Sequence, residues 1–268
     1  MNFWTQSKNN IFVAAHRGWS TKYPENTMEA FRAALELNVD QVETDVRMTK
    51  DGELVCIHDP KVDRTTNGTG RVEDLTFAEL QALDAGSWKG EEFAGCRIPR
   101  FVEYLDLFRE HPTMTLDVEL KVYPTEGKEQ ISYDICDRVF ALLEEYGYVD
   151  RCVINTFSPK LHEYIQKTYG NKFRQHVYYP RKFYADAEEI DSYTYGYCVC
   201  MFGASWGMAS KEEFDEMRAK YPQIQTWAPA SIKDEAGVDE VIRCGAELIT
   251  CNNPDEILRI LREKGYHA

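Results

Sequence analysis

The stretches His16-Arg17-Gly18, Val42-Glu43-Thr44-Asp45-Val46, His58-Asp59 and Asp117-Val118-Glu119-Leu120-Lys121 carry side chains suited to acid–base and cation chemistry. In a strand, the period of two sends Glu43 and Asp45 to one side and Val42, Thr44 and Val46 to the other. Two carboxylates crowded together repel each other unless a cation lies between them. Hard oxygen ligands of this kind suit Mg2+ or Ca2+. A solvated acidic face is the bland reading, but it fits antiparallel sheets better than a strand buried on both faces. The same alternation turns Val118 and Leu120 outward and leaves Glu119 and Lys121 facing inward, with Asp117 deeper. A plain Glu119–Lys121 ion pair would account for both. A third carboxylate beside the first two would instead complete a cation site and free Lys121 to neutralise a phosphate oxygen. Histidine titrates near neutral pH, so His16 and His58 can supply what phosphoryl transfer needs: one group to take a proton from the nucleophile and one to protonate the leaving oxygen.

Such residues need a frame that brings them together. Eight short apolar, β-branched runs alternate with helical patterns: 11–15, 41–46, 114–121, 152–156, 173–178, 196–202, 223–227 and 247–250. Repeated βα units predict a parallel sheet, and eight strands each followed by a helix close a (β/α)8 TIM barrel, whose catalytic rim lies at the strand C-termini. The 268 residues fit one such domain. Helix starts are expected at Asn26 with Glu29, Thr76 with Glu79 and Ser210 with Glu213, and at Ser158-Pro159 and Asn253-Pro254. Gly170 and Gly265 mark helix ends. The interval between the second and third runs is too long for one βα unit. It predicts an inserted cap over about 54–112, emerging at the rim.

Acidic residues outnumber basic ones 45 to 31, for a formal charge of -14. That excess disfavours nucleic acid and anionic membranes, so an anionic substrate must meet its positive charge locally. The opening Met1–Asn10 is polar, with Lys8 before the short apolar run, and no stretch of about 18 apolar residues follows. The eight cysteines (56, 96, 136, 152, 198, 200, 244, 251) contain no C-x2-C pair and read as reduced, buried thiols. Together these features predict a cytoplasmic protein with no stable membrane insertion. Cys198 and Cys200 share a strand face but lack partners for a soft-metal site, and Asn67-Gly68-Thr69-Gly70 reads as a tight turn rather than a phosphate-binding loop.

In order and spacing, His16-Arg17-Gly18, Pro24-Glu25-Asn26-Thr27, Glu43-Thr44-Asp45, Thr49-Lys50-Asp51-Gly52 and His58-Asp59 resemble the glycerophosphodiester phosphodiesterase family. The likeness continues through Thr65–Gly70, Ile98-Pro99 and Glu119-Leu120-Lys121, and more faintly through Thr156-Phe157, Trp227 and Ile249-Thr250. It implies a TIM barrel with an inserted cap, a divalent cation on Glu43, Asp45 and Glu119, and His16 and His58 as the acid–base pair. Arg17 and Lys121 would hold the phosphate, and Trp227 would join the substrate-binding set. The implied reaction is hydrolysis of glycerophosphodiesters to glycerol 3-phosphate and an alcohol. Which histidine is acid and which base stays open, as does water attack versus a cyclic phosphate.

Two departures from the family pattern fall late in the chain. Trp227 is followed by Ala228-Pro229-Ala230, and the usual Thr-Asp becomes Thr250-Cys251-Asn252. They bear on the alcohol pocket and are expected to leave the catalytic set untouched. Competing readings are a phospholipase D-like phosphodiesterase acting on lysophospholipids or other sugar or glycerol phosphodiesters, a metal-dependent sugar isomerase, and an idle barrel serving as a binding module. A neutral sugar would give Arg17 and Lys121 nothing to neutralise, and a complete catalytic set argues against idleness.

Overall fold

The computed structural model describes residues 11–125 and 127–268. The polar stretch Met1–Asn10 lies outside them. In chain order the elements are β1 (Phe12–Ala15), α1 (Met28–Glu36), β2 (Gln41–Met48), β3 (Leu54–Cys56), α2 (Phe77–Gln81), α3 (Phe101–Leu107), β4 (Thr115–Leu120), α4 (Glu129–Glu145), β5 (Cys152–Asn155) and α5 (Pro159–Tyr169). They continue as β6 (Arg174–Tyr179), β7 (Cys198–Met201), α6 (Lys211–Lys220), β8 (Gln225–Ala228), α7 (Glu235–Cys244), β9 (Leu248–Cys251) and α8 (Pro254–Glu263). Each predicted strand run is found, shortened or extended at its ends.

The parallel strands run in the order β1-β9-β8-β7-β6-β5-β4-β2, and a β1–β2 pairing closes the ring, giving the (β/α)8 barrel. Alternation along each strand separates two layers. Val13, Val42, Val118 and Val199 join the large core beneath the helices. Phe12, Ala14, Val153, Cys198, Trp227 and Leu248 fill the inside of the barrel. The expectation of a helix after every strand fails at β6. Among the described residues its connection to β7 holds only short 3-10 turns, Arg181–Phe183 and Ser192–Thr194. The stretch from Pro180 to Gly196 has no sustained 3.6-residue apolar repeat from which to build one.

The insertion has its own small core of Val55, Ile57, Val62, Val72, Leu80, Ala85 and Ile98. β3 runs antiparallel along β2. By contrast Phe101, Tyr104, Leu105 and Phe108 belong to the main core, so α3 is the barrel's own helix and the cap is shorter than 54–112. Capping boxes form at Thr76–Glu79 and Ser210–Glu213, and Ser158 caps α5 ahead of Pro159. The cap of α1 is Thr27, not Asn26. Asn26 is turned to the site, in a left-handed conformation at φ 55°. All eight cysteines are free and buried, and no helix among the described residues is long and apolar enough to cross a membrane.

Candidate active site

β2 and β4 pair in register with Glu43 opposite Asp117 and Asp45 opposite Glu119. Inward alternation therefore brings Glu43, Asp45 and Glu119 together, each offering an oxygen within 4.8 Å of the others. All three are at least 96% buried. Burial, with Asp45 and Glu119 nearby, pushes the Glu43 carboxyl well above the usual carboxylate range. Burial also raises Glu119, against the pull of Lys121. Burial acts in the same sense on Asp45, but Lys121 and Arg17 outweigh it and hold that carboxyl low. Glu43 Oε1 is buried without a hydrogen-bond partner, and Asp45 Oδ1 faces only the Lys121 ammonium at 3.3 Å. Buried carboxylate oxygens left unmatched are costly unless a cation takes them, so this donor set fits a hard divalent ion.

Two cationic side chains border the trio. Lys121 Nζ lies 2.5 Å from Glu119 Oε1 and 3.3 Å from Asp45 Oδ1. Arg17 Nε lies 3.2 Å from Asp45 Oδ2, Arg17 Nη1 donates to Glu25 Oε1 at 2.8 Å, and the Arg17 backbone N–H donates to Glu43 Oε2 at 2.7 Å. This fold-back requires a left-handed Arg17 (φ 58°) followed by Gly18 (φ 75°). A Cβ on Gly18 would lie 2.6 Å from the Ala30 carbonyl carbon, so only glycine lets the turn sit against α1.

Each histidine is anchored through Nδ1. His16 follows β1, and its Nδ1 is 2.7 Å from Asn252 Oδ1, just past the neighbouring β9. Burial, then Arg17, lowers the His16 pKa to about 4. His58 reaches the rim because β3 doubles back along β2, where the Ile57 N–H bonds the Asp45 carbonyl. Its Nδ1 is 2.7 Å from Asp59 Oδ1, and burial lowers its pKa as well. Arg64, from the cap, grips Glu25 through both terminal nitrogens (2.8 and 2.7 Å) and Asp59 through Nε at 2.6 Å. It thus joins the partner of His58 to the partner of Arg17. Asn26 Nδ2 donates to Asp45 Oδ2 at 2.7 Å, while Asn26 Oδ1 accepts from Thr44 Oγ1 at 3.0 Å.

The model of the glycerophosphoryl diester phosphodiesterase family matches residues 16–227. The chain belongs to this family. It is 43% identical over 150 residues to a glycerophosphodiester phosphodiesterase of Caldanaerobacter subterraneus subsp. tengcongensis, a match covering 54% of this chain and 58% of that one. It is 28% identical over 273 residues to a glycerophosphodiester phosphodiesterase of Bacillus subtilis, covering 97% and 89%. The matched stretch therefore spans little more than half of the first relative. An Oleispira antarctica phosphodiesterase, solved in complex with the product sn-glycerol-3-phosphate, superposes with a TM-score of 0.77 at 25% identity, covering 97% of this chain and 100% of that one.

In this family member the barrel mouth gathers His16, Arg17, Glu43, Asp45, His58, Glu119 and Lys121. It does not gather Trp227, whose ring is fully buried inside the barrel with Nε1 on Gln225 Oε1 at 3.2 Å. The departure at Asn252 is not remote from the catalytic set, because that amide holds His16 directly. Sequence reasoning also missed Asn26, although it lies in a quoted motif, and Arg64, for which no local signal exists. Phe157, Phe202 and Phe183, which gather around Trp206, escaped it too. Trp206 is 52% exposed and stacks on Phe183 at 4.0 Å.

Proposed function

We propose that the protein is a metal-dependent glycerophosphodiester phosphodiesterase that releases glycerol 3-phosphate and an alcohol, with His16 as general base and His58 as general acid. The observation that carries this reading is the meeting of the Glu43, Asp45 and Glu119 oxygens with two imidazoles anchored through Nδ1, beside Arg17 and Lys121. Glu43, Asp45 and Glu119 would hold Mg2+ or Ca2+, which when bound polarises a phosphate oxygen and neutralises its charge. Arg17 and Lys121 orient the phosphodiester and offset its negative charge. The relative solved with sn-glycerol-3-phosphate supports a small phosphodiester as substrate.

Burial lowers both imidazoles, and what distinguishes them is the partner each Nδ1 meets. The partner of His16 is a neutral amide, and with a pKa of about 4 its ring stays neutral, leaving Nε2 to take a proton from water or the glycerol 2-hydroxyl. The partner of His58 is the Asp59 carboxylate, which offsets part of the burial that disfavours the charged ring and so favours, relative to His16, an imidazolium able to protonate the departing alcohol oxygen. His58→Ala should lower kcat on glycerophosphodiesters with alkyl alcohols by about 10²- to 10⁴-fold. A p-nitrophenyl leaving group, which departs without a proton, should suffer far less. Chelation should abolish both activities and added divalent cation restore them. Full alkyl-diester activity in H58A would defeat the acid assignment, and indifference to chelation would defeat the metal.

A further inference from the structure

Beside the carboxylate trio, with Glu43 and Glu119 in its wall, lies a cavity of about 50 Å³ whose lining includes Asp117, Asn155, His176 and Thr250. Such a space holds a few water-sized groups and no acyl chain. His176 is 2% exposed and is not needed for any step above. Its Nδ1 lies 2.8 Å from Asp117 Oδ2, and its ring is packed by Trp227 at 4.8 Å and Tyr178 at 5.1 Å between centroids. The ring is therefore fixed, with Nε2 as its free edge.

Nε2 of His176 has no hydrogen-bond partner, nor do Oδ1 of Asn155 and Oγ1 of Thr250, and all three residues line this cavity and are buried. Leaving buried polar groups without partners is costly, so a set converging on one cavity marks a place where a polar ligand completes them. The donor and acceptor types narrow its chemistry. Asn155 Oδ1 can only accept, Thr250 Oγ1 can do either, and His176 Nε2 offers a single edge. With Nδ1–H turned to the Asp117 carboxylate, His176 Nε2 accepts, as does Asn155 Oδ1, so two hydroxyls, each donating one proton, satisfy the set, whereas a carboxylate or phosphate would face Asn155 Oδ1, Asp117 and Glu119. The acidic trio that could hold a metal ion borders this same cavity through Glu43 and Glu119.

We infer that His176, positioned by Asp117 and assisted by Asn155, is a specificity-determining contact that reads a free hydroxyl of the substrate's glycerol group. This rests on the proposed phosphodiesterase reading.

Two probes with one leaving group test it: p-nitrophenyl glyceryl phosphate and p-nitrophenyl propyl phosphate, which lacks the hydroxyls. The wild type should favour the glyceryl diester by at least about 10-fold in kcat/KM, as expected where a polar site is left unmatched. His176→Leu should collapse that preference to within about 3-fold while the propyl diester is turned over as before, and His176→Gln should restore part of it. Asn155→Ala, which leaves the ring pair intact, should narrow the preference in the same direction and serves as the deciding variant if H176L does not fold. A purely structural role would lower both rates together and leave the ratio unchanged, which would overturn the inference. So would a wild type without preference between the diesters. Wild-type failure on both probes would instead overturn the phosphodiesterase reading on which the inference rests.

Discussion

Asn252 Oδ1 stands 2.7 Å from His16 Nδ1, at a position where the family resemblance leads one to expect a carboxylate. An amide carbonyl accepts the ring N–H without stabilising a charge on the imidazole, so burial wins and His16 titrates at about 4. A base works above its pKa, and activity should therefore persist down to mildly acidic pH. Asn252→Asp would place a negative charge at the same nitrogen and raise the His16 pKa by about 1 to 2 units. The acid limb of kcat/KM should move to higher pH by the same amount, with the rate at pH 8 little changed; an unmoved limb would remove His16 from the base role. That Glu43, Asp45 and Glu119 face one another was legible because they lie on strands whose inward face is set by a period of two, and His16, Arg17, His58 and Lys121 could be placed at the same mouth because each lies in a short motif just past a strand end. Asn252, Arg64 and His176 were not legible, since Asn252 and His176 meet partners 236 and 59 residues away and Arg64 ties nearby Asp59 to Glu25, 39 residues off.

Among elements, the turn from β1 into α1 carries the most constraint. Gly18 sits against the Ala30 backbone at φ 75°, and the Arg17 N–H it aims at Glu43 is held by that turn. Gly18→Ala adds a steric overlap and a disfavoured left-handed residue, and should cost about 2–4 kcal/mol. A fall in Tm of several degrees, with loss of activity out of proportion to the folded fraction, is the expected result; an unchanged Tm would show that the turn yields. The cap was legible as an excess of chain between two strands. Its far boundary was not, because the periodic apolar pattern of α3 is the same whether the helix covers the rim or the barrel wall. Only its packing of Phe101, Tyr104 and Phe108 into the main core assigns it to the wall. The missing helix after β6 has a related cause: the count of eight strands predicts closure, but the layer outside need not be uniform.

At the scale of the whole molecule, barrel closure brings residues near the two ends of the chain together. His267 Nε2 lies 2.8 Å from Asp40 Oδ2, which also accepts from the Val13 N–H, and Ile11 N–H bonds the Tyr266 carbonyl. Burial opposes the charged ring, but the Asp40 carboxylate outweighs it and raises the His267 pKa. With the folded pKa above the unfolded one, the stabilisation is fully present below about pH 6.5 and is lost as pH rises through the folded value. His267→Ala should thus cost about 1 kcal/mol at pH 6 and less at pH 9, measured by denaturant unfolding. A gap that widens with pH would contradict the ion pair. The sequence alone determined the barrel and the inward direction of Glu43, Asp45 and Glu119, because backbone periodicity and strand count are local properties repeated along the chain. Which group holds the His16 imidazole, where Trp227 ends up, and that unpartnered polar atoms converge on one cavity beside the carboxylates were decided only by closure of the ring. Closure sets neighbours by strand order and register, pairing β1 with β9 and placing His176 across from Asp117, and no local pattern encodes those distances.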